Sequence, residues 1–149
     1  GDLLVIDWGA SYDGYISDLT RTFAVGEPQP EYRRIYELVQ MANQAGREAS
    51  RPGIAAGQVD RAAREVIEGG GYGPYFFHRV GHGIGMEAHE PPYMFGANEL
   101  ILAPGMAFTV EPGIYLPGRG GVRIEDNGVS TENGAETLSD MPRELTILG

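Results

Sequence analysis

At 149 residues, with 42% hydrophobic and 21% charged positions, the chain is long enough to bury a core and too apolar for a disordered segment. Lys and Arg number 11 against 21 Asp and Glu, and the net charge of −10 argues against nucleic acid or anionic membranes as partners, because phosphate binding needs a basic surface. No apolar run approaches the ~18 residues of a membrane span, and the absence of cysteine excludes disulfides, thiolate metal sites and cysteine nucleophiles.

Leu3 to Ile6 is apolar and partly β-branched, which predicts a strand over about residues 2–8. Asp13-Gly14 is a strong hairpin signal, and a second strand returns over Tyr15–Val25 until Gly26-Glu27-Pro28 stops it. Ile35, Leu38, Val39, Ala42, Ala45 and Ala49 recur at helical spacing between Pro30 and about Ser50. Pro30 suits a helix start, and Arg51-Pro52-Gly53 ends the pattern. A shorter helix over Gln58–Glu68 aligns Val59, Ala62, Ala63, Val66 and Ile67, and Gly69-Gly70-Gly71 terminates it.

Beyond Tyr75 the chain reads as strands and turns. Met106–Glu111 and Gly121–Asp126 are expected to pair around the turn-rich Leu116-Pro117-Gly118-Arg119-Gly120, and short strands continue to Leu148. The 23 glycines, about twice the usual share, fit such a turn-rich half. Hairpin, two helices and a β-rich half predict one α+β domain with an antiparallel sheet and flanking helices. The opening Gly1-Asp2-Leu3 carries no Met and runs straight into a strand, so the chain is expected to be part of a longer protein.

A two-residue turn at Asp13-Gly14 pairs Tyr12 with Tyr15 and sets Asp7 opposite Thr20, with Asp18 diagonal to it on the same face. Diagonal neighbours lie roughly 7–8 Å apart, and two carboxylates there repel unless a cation sits between them. The plainer alternative is a strand-ending Asp7 and a solvated Asp18. A loop centred on Gly118 sets Glu111 opposite Glu125, which is destabilising without a counter-charge; Arg123, on the face of Glu125, is the expected source. The alternative is a structural Arg–Glu network.

The chain's three histidines, His78, His82 and His89, fall within twelve residues. The glycines between His78 and Gly85 rule out a helical zinc pair, and His89-Glu90-Pro91-Pro92 is not H-E-x-x-H because Tyr93 follows. A lone histidine is more often a structural hydrogen-bonder, whereas three flanked by glycine favour a site. Four carboxylates and a histidine exceed the needs of one ion, and two divalent ions roughly 3.5–4 Å apart would satisfy them. Oxygen-rich ligation with imidazole and no thiolate suits Mn²⁺, with Co²⁺, Fe²⁺ or Zn²⁺ as alternatives. A water bridging such ions is acidified to a hydroxide nucleophile, and hydrolysis of a polarised carbonyl follows.

In order along the chain stand Val5-Ile6-Asp7-Trp8-Gly9-Ala10, Ser17-Asp18-Leu19-Thr20-Arg21-Thr22, Gly81-His82-Gly83-Ile84-Gly85, His89-Glu90-Pro91-Pro92, Thr109-Val110-Glu111-Pro112-Gly113 and Val122-Arg123-Ile124-Glu125-Asp126. Their order and spacing resemble the pita-bread metallopeptidases, the family of methionine aminopeptidase, Xaa-Pro aminopeptidase and Xaa-Pro dipeptidase. The resemblance covers nearly the whole chain. It implies that Asp7 chelates one metal, His82 and Glu111 the other, and that Asp18 and Glu125 bridge both. It further implies Glu111 as general base, His89 as the group stabilising the oxyanion, His78 as a substrate contact near proline, and Arg123 as a substrate-binding or supporting arginine.

His78 and the run Glu111-Pro112-Gly113-Ile114-Tyr115 look more like the proline-specific members, as do Glu132-Asn133-Gly134-Ala135-Glu136 and Pro142-Arg143-Glu144-Leu145. The expected substrates are therefore short peptides with proline second, cleaved before the proline; methionine aminopeptidase and a non-catalytic binding module are the alternatives. Asp126-Asn127-Gly128-Val129 departs from the hydrophobic strand usual after the last glutamate, and a bulge or turn there would disturb Glu125. Family members also carry a segment upstream of the first aspartate that supplies another substrate histidine. The resemblance thus implies that residues 1–149 form the C-terminal portion of a catalytic domain, with all metal ligands, an incomplete pocket and an exposed edge at Leu3–Trp8. A cytoplasmic homodimer is the expected state of the full-length protein.

Overall fold

The structure, a computed structural model, describes residues 1–149. Its first element is a long hairpin of β1 (Asp2–Tyr12) and β2 (Tyr15–Val25), with Tyr12 opposite Tyr15 and Asp7 opposite Thr20, the register that the Asp-Gly turn dictates. Asp13 and Gly14 both have positive φ (49° and 84°), as a two-residue turn matched to strand twist requires. β1 runs to Tyr12 rather than ending near Trp8, because β2 pairs it up to the turn.

Helix α1 (Pro30–Ala49) begins with Pro30 in its first turn and buries Tyr32, Ile35, Tyr36, Val39 and Ala42, one stripe at helical spacing. Helix α2 (Ala56–Gly69) packs on it through Val59, Ala63 and Ile67. α2 starts two residues before the expected Gln58. The carbonyls of Leu100 and Asn98 accept the N–H groups of Ala56 and Gly57 at 2.8 and 2.9 Å, satisfying donors that a helix start otherwise leaves unpaired. A Cβ on Gly57 would meet the Gly96 carbonyl at 2.7 Å, so glycine is what permits that approach.

The β-rich half comprises β3 (Gly81–Gly83), β4 (Glu90–Met94), β5 (Ala107–Val110), β6 (Gly113–Leu116), β7 (Gly120–Arg123), β8 (Asp126–Thr131), β9 (Gly134–Thr137) and β10 (Thr146–Leu148). β4-β3-β5-β8-β9 form one sheet and β6-β7 a two-stranded ribbon, while β10 joins β2 in parallel, leaving β1 at the edge of its sheet. Two expectations are corrected here. Met106–Glu111 does not pair with Gly121–Asp126 as one ladder: β5 pairs with β8 and β6 with β7. The symmetry about Gly118 survives in both pairs, but the ladder breaks at Glu111-Pro112 and Ile124-Glu125, where Pro112 offers no N–H. Nor does Asp126-Asn127-Gly128-Val129 form a bulge or turn, since each of these residues has a regular partner in β5.

The core lies between the helices and the inner faces of β5, β6 and β7, and includes Phe108, Val110, Ile114, Val122 and Ile124. No helix is long and apolar enough to cross a membrane.

Candidate metal centre

Three sheets converge where the ladders break. Thr20 of β2 bridges Glu125, whose N–H donates to the Thr20 carbonyl at 3.0 Å, and this seam sets the Asp7–Asp18 face of the hairpin against the acids of the second sheet. From β3, His82 enters between two glycines in close approach to neighbouring backbone. A Cβ on Gly81 would lie 1.9 Å from the Thr109 carbonyl, and one on Gly83 only 2.3 Å from the Pro91 carbonyl.

Each predicted ligand reaches this point. Asp7, Asp18 and Glu125 bring one oxygen each within a 4.8 Å group; His82, Glu111 and Glu125 form a second such group, and Asp18, His82 and His89 a third. His82 Nδ1 lies 3.0 Å from the Gly83 carbonyl, which can only accept, so Nδ1 carries the proton and Nε2 faces the acids. Nε2 stands 3.2 Å from Glu111 Oε1 and 3.9 Å from Asp18 Oδ2. Burial alone would lower the His82 pKa, but Glu111, the Gly83 carbonyl and Asp18 together outweigh it and raise the value.

Glu125 is 1% exposed, and Thr20 Oγ1 donates to its Oε2 at 2.6 Å. Burial and then the neighbouring Glu111 push its pKa up to about 8, against the lowering effect of the Thr20 hydroxyl. Asp18 is raised as well, by burial and then by Asp7.

Arg123 is not the counter-charge of Glu125. Its guanidinium contacts Asp7 Oδ2 at 2.5 Å, the Tyr115 hydroxyl at 3.2 Å and Thr20 Oγ1 at 3.3 Å. The reason is the broken ladder, which turns Arg123 towards the hairpin while Glu125 points inward. The Glu125 carboxylate therefore has a hydroxyl partner and three acidic neighbours, Asp7, Asp18 and Glu111, but no guanidinium. A buried acid so placed calls for a cation, and the donor set of carboxylates and imidazole without thiolate fits hard or borderline divalent ions.

His78 is half-buried, with Nδ1 2.7 Å from the Arg79 carbonyl and Nε2 2.8 Å from the Tyr115 hydroxyl. Burial lowers its pKa, so at neutral pH it is uncharged. The exposed His89 ring lies 4.0 Å from that of His82, and burial, then His82 and Arg79, lower its pKa. Asp7, His78, Arg79, His82, His89, Glu111, Tyr115 and Arg123 line one cleft of about 590 Å³. Sequence reasoning missed the supporting roles of Thr20, Thr109 and Tyr115. Thr109 Oγ1 donates to Glu111 Oε1 at 3.3 Å and accepts from the His82 N–H at 3.2 Å. The alternation Thr109-Val110-Glu111, with both polar side chains on one strand face, was the available signal.

The model of metallopeptidase family M24 matches residues 1–132 of this chain. The chain belongs to that family. It is 52% identical over 145 residues to an Xaa-Pro dipeptidase of Pyrococcus furiosus, covering 97% of this chain and 42% of that protein. It is 50% identical over 149 residues to a probable dipeptidase, PepE, of Mycobacterium tuberculosis, covering 99% of this chain and 40% of that protein. The crystal structure of dipeptidase PepE from Mycobacterium ulcerans superposes with a TM-score of 0.96 at 51% identity, over 97% of this chain and 39% of that one. The α+β arrangement is thus the pita-bread fold anticipated from the motifs, and the chain spans about 40% of the length of such relatives. Membership of a metallopeptidase family implies use of a divalent metal, and the clustered acids and His82 are residues able to hold one.

Proposed function

We propose that residues 1–149 form the C-terminal, metal-binding portion of the catalytic domain of an Xaa-Pro peptidase, which hydrolyses the bond before a penultimate proline in short peptides. The observation that carries the reading is the sharing of Glu125, buried and raised to a pKa of about 8, between the Asp7–Asp18 group and the His82–Glu111 group. Asp7 would hold one ion, His82 and Glu111 the other, and Asp18 and Glu125 would serve both; Mn²⁺ is the favoured ion, with Co²⁺, Fe²⁺ or Zn²⁺ as alternatives. The chemistry supplied by such ions would be Lewis acidity towards the attacking water and the scissile carbonyl.

The chain's own groups do the rest. Glu111, steadied by Thr109, accepts the proton of the attacking water and returns it to the departing proline nitrogen. His89, at the open edge beside His82, donates to the carbonyl oxygen as charge develops on it. Neutral His78, held by Tyr115, contacts substrate near the proline ring. Arg123 holds Asp7 and Tyr115 in place and faces the substrate from the same cleft. The absence of cysteine accords with a cytoplasmic location, and the full-length protein is read as a homodimer.

The test is hydrolysis of Ala-Pro, Ala-Pro-Ala and Met-Ala-Ser by the intact Mn²⁺-loaded protein, with and without chelator. Chelator-sensitive cleavage of the proline peptides is expected. A preference for Met-Ala-Ser would reassign the chain to methionine aminopeptidases, and two bound metals with no cleavage of any of the three would contradict the proposal.

A further inference from the structure

The segment Phe76–Val80 carries His78, yet it belongs to no helix and no sheet ladder. Two of its carbonyls find their donors on a side chain of α2 instead: Arg64 Nη1 donates to Phe76 at 2.7 Å and Nη2 to His78 at 2.9 Å. The same guanidinium donates to Asp60, from Nε to Oδ2 at 2.9 Å and from Nη2 to Oδ1 at 3.0 Å, and it lies 4.2 Å from the centre of the Phe76 ring. Asp60 is 2% exposed and accepts in turn from the Val80 N–H at 3.0 Å. One ion pair thus grips the segment at alternate residues, Phe76, His78 and Val80.

A pair that only supports its helix needs no more than its own two side chains. Here the acid is buried and the planar fork of the guanidinium spans a carboxylate and two carbonyls, which a point charge cannot do. The two ends of the segment differ. At Val80 there are other anchors, since its N–H also reaches the Met94 carbonyl at 3.0 Å and its carbonyl accepts the Glu111 N–H at 2.7 Å. At Phe76 and His78 the carbonyls have Arg64 alone. From that fixed frame His78 Nδ1 meets the Arg79 carbonyl at 2.7 Å and Nε2 the Tyr115 hydroxyl at 2.8 Å, with the Phe76 ring edge-on to the imidazole at 5.0 Å. His78 lines the cleft and Arg64 does not.

We infer that Arg64, braced by Asp60, is a positioning residue that fixes the backbone of His78 so that its imidazole meets the substrate. The inference rests on the Xaa-Pro peptidase reading, in which His78 is the contact near proline, and gives that contact its support in α2. The anchors at Val80 leave the Glu111 side of the site independent of Arg64. Loss of the arginine should therefore disturb substrate handling and spare the metal ligands.

The experiment is a double-mutant cycle on kcat/KM for Ala-Pro, using the intact Mn²⁺-loaded protein, His78→Ala, Arg64→Lys and the two combined. Lysine keeps a cation beside the buried Asp60 but lacks the fork. Arg64→Gln is carried through the same cycle so that the result does not depend on one substitution folding, and manganese content and melting temperature are measured throughout. Each Arg64 variant should lower kcat/KM about tenfold or more, chiefly by raising KM, with manganese content unchanged. In the His78→Ala background the same substitution should lower it by less than about twofold further. Penalties that multiply, or variants that melt earlier at unchanged KM, would overturn the inference and leave the peptidase reading standing. So would parental kcat/KM in His78→Ala, which would leave nothing to position. Absence of chelator-sensitive hydrolysis by the parent protein would overturn the peptidase reading itself, and this inference with it.

Discussion

Glu125 concentrates the electrostatics of the site in one side chain. Its pKa rises from 4.5 in an open chain to about 8 in the fold, so the folded, metal-free protein prefers it protonated. For an acid shifted upward, the stability tied to that proton is complete below the unfolded value and is lost as pH climbs through the folded one. Asp18 shifts in the same direction, and the raised His82 also favours the protonated side. The metal-free protein should therefore melt at progressively lower temperature between about pH 5 and pH 8.5. Scanning calorimetry in chelator would show this, and a flat or rising profile would contradict it. Glu125→Gln keeps an acceptor for Thr20 and removes the charge. It should raise the metal-free melting temperature at about pH 8 by roughly 2–4 °C per kcal/mol of relieved repulsion and abolish binding of one metal. Metal binding near neutral pH should release protons from these groups, which calorimetric titration in buffers of different ionisation enthalpy would count.

At the scale of elements, the site depends on a broken ladder and a buried ionic brace. Arg21 is 2% exposed and donates to the Glu125 carbonyl at 2.5 Å, the Thr20 carbonyl at 2.8 Å and Asp126 Oδ1 at 2.8 Å, with the Met141 and Pro142 carbonyls taking its other donors. Arg143 grips the same fully buried Asp126 with two donors, at 2.8 and 2.9 Å, tying the tail to the strand that follows Glu125. Asp126→Ala strands a buried guanidinium and should cost about 3–5 kcal/mol. Arg143→Ala, whose side chain is 22% exposed, should cost about 1–2 kcal/mol, since Asp126 keeps Arg21. Urea unfolding separates the two, and equal costs would refute the brace.

Much at this scale was legible in advance. Asp13-Gly14 fixed the first hairpin and hence the Asp7–Asp18 face, and the stripe from Tyr32 to Ala42 fixed α1. What escaped were features made by distant partners. Pro112-Gly113 and Asn127-Gly128 carry turn chemistry, yet β6 and β8 form because β7 and β5 lie alongside. The start of α2 is set by carbonyls of Leu100 and Asn98, some forty residues on, and the partner of Arg123 by the seam between sheets. Neither leaves a periodicity to read.

Across the whole molecule, three separate stretches of an acidic chain deliver their carboxylates and one imidazole to a single point, at a cost in repulsion that protons relieve in the metal-free protein and bound cations would offset. The central claim is that Asp7, Asp18, His82, Glu111 and Glu125 hold two divalent ions that hydrolysis requires. The most direct test is Mn²⁺ titration of the intact protein and of Asp18→Ala, followed by Ala-Pro turnover of the same samples. The account predicts two ions and chelator-sensitive turnover for the parent protein. For Asp18→Ala it predicts loss of at least one ion and a fall in kcat of about 10³-fold or more. Retention of two ions and normal turnover by Asp18→Ala would contradict it.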